Sequence, residues 1–541
     1  MKGFLGTIER VGNKVPHPAI LFLALIAILI VLSQILYWSG VGVTYEVVQP
    51  PPAAVQETYL GGSVEPGEIL PPEAADAADY HVETNTVKVK GLLTVDGVRF
   101  LFTSFVSNFM GFTAMGIILI VMIGVGLAES SGLIGALIRK LVAISSEGAL
   151  TYIIVFLGVI SSIASDAGYL VLIPLGAAAF VSVGRHPLAG IAAAFAGVAG
   201  GFGVNFLITP TDAILTEITN EAIGLVDPGR TIDLTSNLYF GIGSTILITL
   251  IGAITTTRIV EPRLGAYDPV ASAPDPAEGE ASDPAHALSE AEESRGLRWA
   301  GVGVLAVVIL IAALTIPSGG PLRDPVTGDV IGTSPFMDSL VVMISMMFLA
   351  AGLCYGRAVG TIKTSTDAIN AITKSWASLA GLLFLFLLIA QFIAYFNFSN
   401  MATVAAVKMG DTLENIDISS VWLLIGVVLV TMIVNLIIPQ AIAKWALLAP
   451  IFVPLFIRLG VEPQTVLAAY RVGDSPTNVI TPIMAYFPLI VVFAARYEKK
   501  SGIGTVIALM LPYALILTVG WTLLFVAWYL IGIPLGPGSP V

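Results

Sequence analysis

The sequence has little charge. Lys, Arg, Asp and Glu make up 11% of its 541 residues, whereas hydrophobic residues make up 56%. A soluble domain has about 25% charged residues, so the composition excludes an ordinary soluble protein. Apolar runs near the roughly 20 residues of a spanning helix recur, for example at 19–36, 240–253 and 302–316. These runs are continuous and lack the alternation of transmembrane β-strands. They predict an all-α polytopic membrane protein.

Cysteine and histidine are also scarce. The single cysteine, Cys354, lies in an apolar segment and has no partner for an internal disulfide. Of the four histidines, His17 and His186 lie at the edges of loops, and none lies beside acids in a predicted span. Metal-dependent and nucleophilic active sites need such clusters. The sequence therefore disfavours an enzyme, and no cofactor other than a coupling ion is expected.

The N-terminal segment has some features of a signal peptide, because Lys2, Arg10 and Lys14 precede an apolar run. The run is too long for that role and ends at Tyr37-Trp38, residues typical of the membrane interface. We interpret it as a retained first helix. The net charge of -12 comes mostly from acids in two hydrophilic segments, and it indicates solvated loops rather than a cationic partner.

Nine spanning helices and two re-entrant hairpins are predicted. The helices are placed at 18–40, 98–129, 187–210, 236–257, 299–317, 336–354, 378–398, 464–494 and 505–532. The hairpins are placed at 148–183 and 419–458, because each segment is long enough for two passes and is interrupted midway by polar, Gly or Pro residues. The predicted units are an N-terminal helix (1–40), a periplasmic loop (41–95), a first repeat (96–258), a cytoplasmic linker (259–298), scaffold helices (299–360) and a second repeat (361–541).

The distribution of lysine and arginine predicts the orientation. With the N-terminus inside, 16 of the 25 cations fall on the cytoplasmic side and seven fall outside. Lys444 and Arg471 remain within the membrane. Because cytoplasmic loops carry the excess of Lys and Arg, we expect a cytoplasmic N-terminus in the inner membrane of a bacterial cell.

A shift of 276 residues aligns the chain with itself. Residues 169–197 then match 445–473 at eight of 29 positions, including Pro174 with Pro450 and Gly197 with Gly473. Five predicted spans separate the hairpins, so the two copies enter the membrane from opposite sides. Inverted repeats with interrupted segments at matching positions indicate a transport site near the membrane midplane. A channel or a membrane enzyme has less need of this symmetry, so we predict a secondary transporter.

Asp166 lies at the break of the first hairpin, in the stretch Ser165-Asp166-Ala167-Gly168. A carboxylate at membrane depth is costly unless a cation, a proton or a helix N-terminus compensates it. Its counterpart in the second copy is Ile442, so a hairpin does not require the acid. Asp166 is a candidate for substrate binding and ion coupling, and helix capping is the alternative.

The second copy carries its charges after the hairpin. Arg471 and Asp474 are three residues apart and could form an internal pair. The Ser-Pro-Thr-Asn that follows favours a broken helix instead. Unwound carbonyls with Asp474, Thr477 and Asn478 suit a hard cation such as Na+, while Arg471 suits a substrate carboxylate.

The first copy offers Asn205 and Thr209 near the equivalent break. Asn205, Asp474 and Asn478 are therefore the ligands of a candidate Na+ site, and Thr477 is a further coupling residue. No other metal site is predicted.

Lys444 and Trp445 follow the break of the second hairpin. Lys444 is a candidate for substrate contact, and snorkelling or pairing with an acid is the alternative. Trp445 offers a flat surface on which an aryl substrate could stack, and core packing is the alternative.

At these residues the chain resembles the p-aminobenzoyl-glutamate transporter (AbgT) family. The resemblance is carried by residues 165–174 (SDAGYLVLIP), 443–450 (AKWALLAP) and 470–482 (YRVGDSPTNVITP). It implies a homodimer with nine spanning helices and two hairpins per protomer. It also implies transport of p-aminobenzoyl-glutamate or related folate catabolites, with export of sulfonamide-type antimetabolites. Carried over by motif, the site residues are Asp166, Trp445, Arg471, Asp474 and Pro482.

The chain departs from the family at the tip of the second hairpin. Pro439, Gln440 and Ile442 stand where the family usually has small or hydroxyl residues. The leading hypothesis is a carrier, by symport or antiport with Na+ or H+, for p-aminobenzoyl-glutamate or a similar aryl anion. The alternative is a Na+-coupled di- or tricarboxylate transporter of similar fold, although Trp445 in an apolar tip favours an aryl substrate. Nucleic acid is not expected as a partner.

Overall fold

The computed structural model describes residues 18–49, 81–143, 146–164, 168–267, 289–330, 334–414, 419–499 and 501–541. Within this part of the chain the fold is almost entirely helical, and eight helices are long and apolar enough to cross a membrane. The all-α polytopic class is therefore confirmed, whereas the count of nine spans with two hairpins stays a prediction.

The helices of six or more residues, numbered in chain order, are α1 (Pro18–Trp38), α2 (Val95–Thr103), α3 (Phe105–Met110), α4 (Thr113–Ser130), α5 (Leu133–Ala143), α6 (Leu150–Ile160), α7 (Ile173–Ser182), α8 (Pro187–Gly200), α9 (Pro210–Ile223), α10 (Leu238–Thr255), α11 (Glu290–Thr315), α12 (Leu340–Val359), α13 (Ser365–Ser378), α14 (Ala380–Phe398), α15 (Met401–Glu414), α16 (Ser420–Asn435), α17 (Ala441–Arg458), α18 (Pro463–Asp474), α19 (Phe487–Tyr497) and α20 (Ile503–Ile531). A 3-10 turn (Ser161–Ala164) and a π-helical turn (Gly168–Leu172) separate α6 from α7, and another 3-10 turn (Asn478–Ile480) follows α18.

Both segments expected to form hairpins are interrupted where the sequence indicates. In the first, α6 ends in the 3-10 turn and α7 follows the π-helical turn. In the second, α16 ends at Asn435 and α17 begins at Ala441, with Pro439 in the intervening loop. Proline lacks the N–H that a continuing helix needs. Each segment therefore consists of two helices separated by an interruption.

The helix that follows each hairpin is itself broken. In the first repeat α8 ends at Gly200 and α9 begins at Pro210, and in the second repeat α18 ends at Asp474 and α19 begins at Phe487. We call residues 201–209 the first break and residues 475–486 the second break. The helix expected at 187–210 thus ends at Gly200, where glycines follow, and the helix expected at 464–494 is divided between α18 and α19, where prolines interrupt it.

Close packing of two glycines supports the repeat alignment. A Cβ on Gly197 would lie 2.4 Å from the Val155 carbonyl oxygen, and a Cβ on Gly473 would lie 2.7 Å from Cβ of Thr431. Val155 and Thr431 are themselves 276 residues apart. In both repeats, the first arm of the hairpin therefore packs on the following helix at a point where only glycine fits.

Three other segments differ from expectation. The span expected at 98–129 is divided among α2, α3 and α4, which are separated at Ser104 and at Gly111-Phe112. The predicted loop 41–95 contains an antiparallel pair of strands, β1 (Gly42–Gln49) and β2 (His81–Lys88), with Gly42 opposite Lys88. The helix expected from residue 299 begins at Glu290 instead, because Ser289 and Glu292 form a capping box. Residues 50–80 and 268–288 lie outside the described part of the chain.

Candidate functional site

The two breaks lie against each other. The Gly203 N–H of the first break donates to Oγ of Ser475 in the second break at 2.7 Å. Arg471 Nη1 donates to the Gly203 carbonyl at 2.9 Å, and Asn478 Nδ2 donates to the Ala199 carbonyl at 3.3 Å. Backbone groups that helix interruption leaves free are thus satisfied by the opposite repeat. This contact joins the two repeats inside the protein.

Each break is also bonded to the hairpin of its own repeat. Asn205 Nδ2 in the first break faces the Ile160 carbonyl at 3.1 Å and Ser162 Oγ at 2.8 Å. In the second repeat the direction is reversed, because Asn435 at the hairpin tip donates from Nδ2 to Thr477 Oγ1 at 2.7 Å and to Asn478 Oδ1 at 2.8 Å. In each repeat, one asparagine therefore links the tip of the hairpin to the break by hydrogen bonds.

A fully buried ion pair lies in the second repeat. Lys444 Nζ is 2.6 Å from Asp474 Oδ1, and the two side chains are 0% and 1% exposed. Lys444 also donates to Asn435 Oδ1. The Asp474 carboxylate accepts further hydrogen bonds from Tyr470 Oη at 3.2 Å and from Ser475 Oγ at 3.1 Å. Of the two alternatives for Lys444, the structure places it in a pair with an acid.

A second ion pair crosses between the repeats. Arg471 Nη1 lies 2.5 Å from Oδ1 of Asp212, and the two side chains are only 5% and 15% exposed. The other carboxylate oxygen of Asp212 closes a capping box with Thr209 at the start of α9. Arg471 Nε is buried and has no hydrogen-bond partner among the described residues. The alternative of an internal pair between Arg471 and Asp474 is therefore not what the structure contains.

Trp445 is fully buried against the same cluster. Its Nε1–H donates to Thr219 Oγ1 on α9 at 3.0 Å, and its ring centroid lies 4.4 Å from that of Tyr470. In this conformation the indole is packed and hydrogen-bonded, and it presents no open surface. The single hydroxyl proton of Tyr470 is shared between Asp474 Oδ1 and the Ala441 carbonyl at the start of α17.

A cavity of about 650 Å³ lies beside this network. Its walls come from the tip of the second hairpin, the second break, α14 and the start of α1. The lining includes Gln440, Ile442, Asn478 and a stacked pair of rings, Tyr169 and Tyr486, whose centroids are 4.4 Å apart. The three residues at which the chain departs from the family, Pro439, Gln440 and Ile442, thus all line the cavity.

The structure brings only some of the predicted site residues together. Asp166 lies outside the described residues. Asp474, Arg471, Lys444 and Trp445 are brought into one buried network behind the cavity, whereas Asn478 lines it. Among the remaining predicted residues, Thr477 accepts a hydrogen bond from Asn435, and Pro482 lies between the 3-10 turn and α19. Asn205 and Thr209 lie in the first break.

Three participants were missed by the sequence analysis. Asp212 pairs with Arg471, Asn435 holds the second hairpin tip, and Thr219 binds Trp445. A signal existed for Asp212, because Thr209-Pro210-Thr211-Asp212 is a capping pattern with proline at the first helical position. No local pattern marks Thr219 as a partner of a tryptophan 226 residues away.

Each candidate Na+ ligand is bonded to another protein group in this structure. Asn205 is engaged by the first hairpin, Asp474 by Lys444, and Asn478 by Asn435 and the Ala199 carbonyl. Among the described residues no group of three or more His, Cys, Asp or Glu could hold a metal ion.

Comparisons with known proteins bear on the whole chain. The sequence model described as the AbgT putative transporter family matches residues 3–541. The chain is 35% identical over 533 residues to the p-aminobenzoyl-glutamate transport protein of Escherichia coli (strain K12), covering 98% of this chain and 96% of that protein.

Two solved structures are also similar. The YdaH transporter of Alcanivorax borkumensis is 40% identical, with a TM-score of 0.83 over 96% of this chain and 100% of that one. MtrF of Neisseria gonorrhoeae, described as illuminating a class of antimetabolite efflux pumps, is 38% identical, with a TM-score of 0.83 over 99% of this chain and 100% of that one.

Proposed function

Because the chain belongs to the AbgT family of transporters, we propose that it is an ion-coupled secondary transporter of p-aminobenzoyl-glutamate or related folate catabolites. One observation carries the proposal. Two broken helices of opposite repeats meet beside a cavity of about 650 Å³, and two buried acid–base pairs lie at their junction. Ionisable residues at membrane depth are functional-site candidates by default.

The proposed role of Arg471 is to bind a substrate carboxylate. Its Nη1 group donates to Asp212 and Gly203, and its buried Nε has no hydrogen-bond partner within the part of the chain that the structure describes. A guanidinium offers five donors in a planar fork that matches a carboxylate. The substrate carboxylate would therefore compete with Asp212 for Arg471.

This competition supplies a physical reason for cation coupling. Among the described residues, Asp212 and Asp474 each have one basic partner, so the pairs Arg471–Asp212 and Lys444–Asp474 are neutral. A substrate carboxylate that takes Arg471 leaves one buried carboxylate uncompensated, which is strongly unfavourable. Entry of Na+ or H+ restores neutrality. We propose that this coupling involves Asp212, the acid that Arg471 would leave, together with Asp474, Asp166 and the polar groups of the two breaks.

The proposed cargo follows from the relatives and from the cavity. The E. coli relative is named for p-aminobenzoyl-glutamate, and MtrF is described with antimetabolite efflux pumps. The cavity wall is mostly apolar and includes the Tyr169–Tyr486 stack, which suits an aryl group, while Gln440 and Asn478 offer hydrogen bonds. Sulfonamide-type antimetabolites share the aminophenyl group, so we propose export of these compounds by the same route.

The setting proposed for this activity is the bacterial inner membrane, with a cytoplasmic N-terminus. The excess of Lys and Arg on that side supports the orientation. A homodimer is proposed from the family resemblance.

Transport by the purified protein in proteoliposomes tests the proposal. Labelled p-aminobenzoyl-glutamate is supplied while Na+ and H+ gradients are imposed separately, and citrate and a sulfonamide are added in turn as competitors. We expect accumulation driven by one gradient and competition by the sulfonamide. Inhibition by citrate without inhibition by the sulfonamide would favour the di- or tricarboxylate alternative. Absence of flux under both gradients would reject this substrate.

A further inference from the structure

The Lys444–Asp474 pair has the arrangement of a cation site that already contains a cation. Two oxygens, Asp474 Oδ1 and Asn435 Oδ1, converge on the ammonium nitrogen, and the Tyr470 ring centroid lies 6.0 Å from it. Asp474 is the last residue of α18, where the helix dipole is negative. Transporters bind coupling cations at such ends of interrupted helices.

The fold itself does not require these charges. The positions equivalent to Lys444 and Asp474 in the first repeat are Gly168 and Val198. They too lie together, because a Cβ on Gly168 would be 3.0 Å from Cγ1 of Val198. The first repeat therefore has uncharged residues at the two equivalent positions. A buried pair is weak evidence for stability, since desolvation offsets its attraction, so charges at positions that are uncharged in the other repeat point to function.

The ammonium also excludes a metal cation from this place. A hard cation needs several oxygen ligands at close range, and the two oxygens that converge here are already bonded to Lys444. The second carboxylate oxygen of Asp474 accepts from Ser475. Na+ could occupy the site only if Lys444 left it.

We propose that the Lys444 ammonium is a tethered cation, which fills the position of a coupling Na+ in the second repeat and lets the transporter run without Na+. This inference rests on the proposed carrier function. It replaces the candidate Na+ site at Asn205, Asp474 and Asn478, and it leaves H+ as the coupling cation. Removal of the ammonium should create a requirement for Na+, because Asp474 then lacks its counter-charge.

The test compares wild type, Lys444→Met and Lys444→Met/Asp474→Asn in Na+ and in choline at equal ionic strength. Lys374→Met, which removes an exposed lysine on α13, is the matched control. Exchange of labelled p-aminobenzoyl-glutamate is measured in proteoliposomes, and the melting temperature is measured in detergent without substrate.

We expect exchange and melting temperature of wild type and Lys374→Met to be the same in both salts. Lys444→Met should exchange at least about tenfold faster in Na+ than in choline, because a buried carboxylate needs a counter-ion. Its melting temperature should rise by about 2 °C or more in Na+, since a ligand stabilises the state that binds it. The double variant, which has no buried charge at this position, should show no such rise.

Two results would overturn the proposal that Lys444 is a tethered cation. One is a wild-type protein whose exchange or melting temperature falls when choline replaces Na+. The other is a folded Lys444→Met variant that is indifferent to Na+ in both assays, as a purely structural pair would be. If Lys444→Met does not fold, the comparison of wild type in Na+ and in choline tests the proposal. If wild type exchanges no p-aminobenzoyl-glutamate, the proposed substrate fails, while the melting temperatures still decide the role of Lys444.

Discussion

Replacement of Asp212 by asparagine should destabilise the junction between the two repeats. Arg471 Nη1 lies 2.5 Å from the Asp212 carboxylate, and the guanidinium is 5% exposed. Loss of the acid leaves a buried charge without its counter-ion, and such single removals cost about 3–5 kcal/mol. Asp212→Asn should therefore lower the free energy of unfolding by about that amount, and substrate exchange should fall with it.

The assay is thermal or denaturant unfolding in detergent, arranged as a double-mutant cycle with Arg471→Met. The double variant should be no less stable than either single variant, because it leaves neither charge unpaired. Asp96→Asn is the matched control, since Asp96 pairs with Arg99 at a site where both side chains are more than half exposed. Such surface pairs contribute about 0–1 kcal/mol. A loss for Asp212→Asn no greater than that for Asp96→Asn would refute the reasoning.

Three further predictions concern single residues of the site. Asp474→Asn should abolish gradient-driven accumulation while the protein remains folded, because it leaves the Lys444 ammonium without its acid; normal accumulation in proteoliposomes would contradict this. Arg471→Lys should raise the half-saturating substrate concentration by about tenfold, because an ammonium cannot bind a carboxylate bidentately; an unchanged value would remove Arg471 from the substrate site. Gly473→Ala should lower stability by about 1–3 kcal/mol through overpacking, since its Cβ would lie 2.5 Å from the Val428 carbonyl oxygen. Gly426→Ala, which meets nothing within 4 Å, is the control, and equal melting temperatures of the two variants would contradict the packing argument.

Much of the fold could be read from local patterns. The interruption of the second hairpin follows from Pro439, and the second break begins after Asp474, where Pro476 cannot continue the helix. The strands β1 and β2 were missed because the surrounding segment is dominated by proline and acids, although VTYEVV and HVETNTVK have strand-forming composition. The start of helix α11 was predicted at residue 299 instead of Glu290, because its first turns are charged and extend beyond the apolar span.

The candidate site was predictable in its residue types but not in its pairings. Arg471 has an acid three residues further on, and local rules favour that pair. The structure instead pairs Arg471 with Asp212, which lies 259 residues earlier in the other repeat, and gives Asp474 to Lys444 on the hairpin arm. Burial of Trp445 against Tyr470 and Thr219 depends likewise on how α9, α17 and α18 meet.

The sequence by itself determined the membrane class, the interrupted segments and the internal repeat, because each depends on the composition of a short stretch or on its similarity to another stretch. Lipid tolerates only apolar surfaces with satisfied backbone groups, so short stretches of sequence are enough to encode these features. The tertiary structure alone decided which acid neutralises which base and which residues face the cavity. Lys444, Asp474, Arg471 and Asp212 each find their counter-charge on a different helix. Charges buried together pair by proximity in space, and no spacing along the chain encodes that proximity.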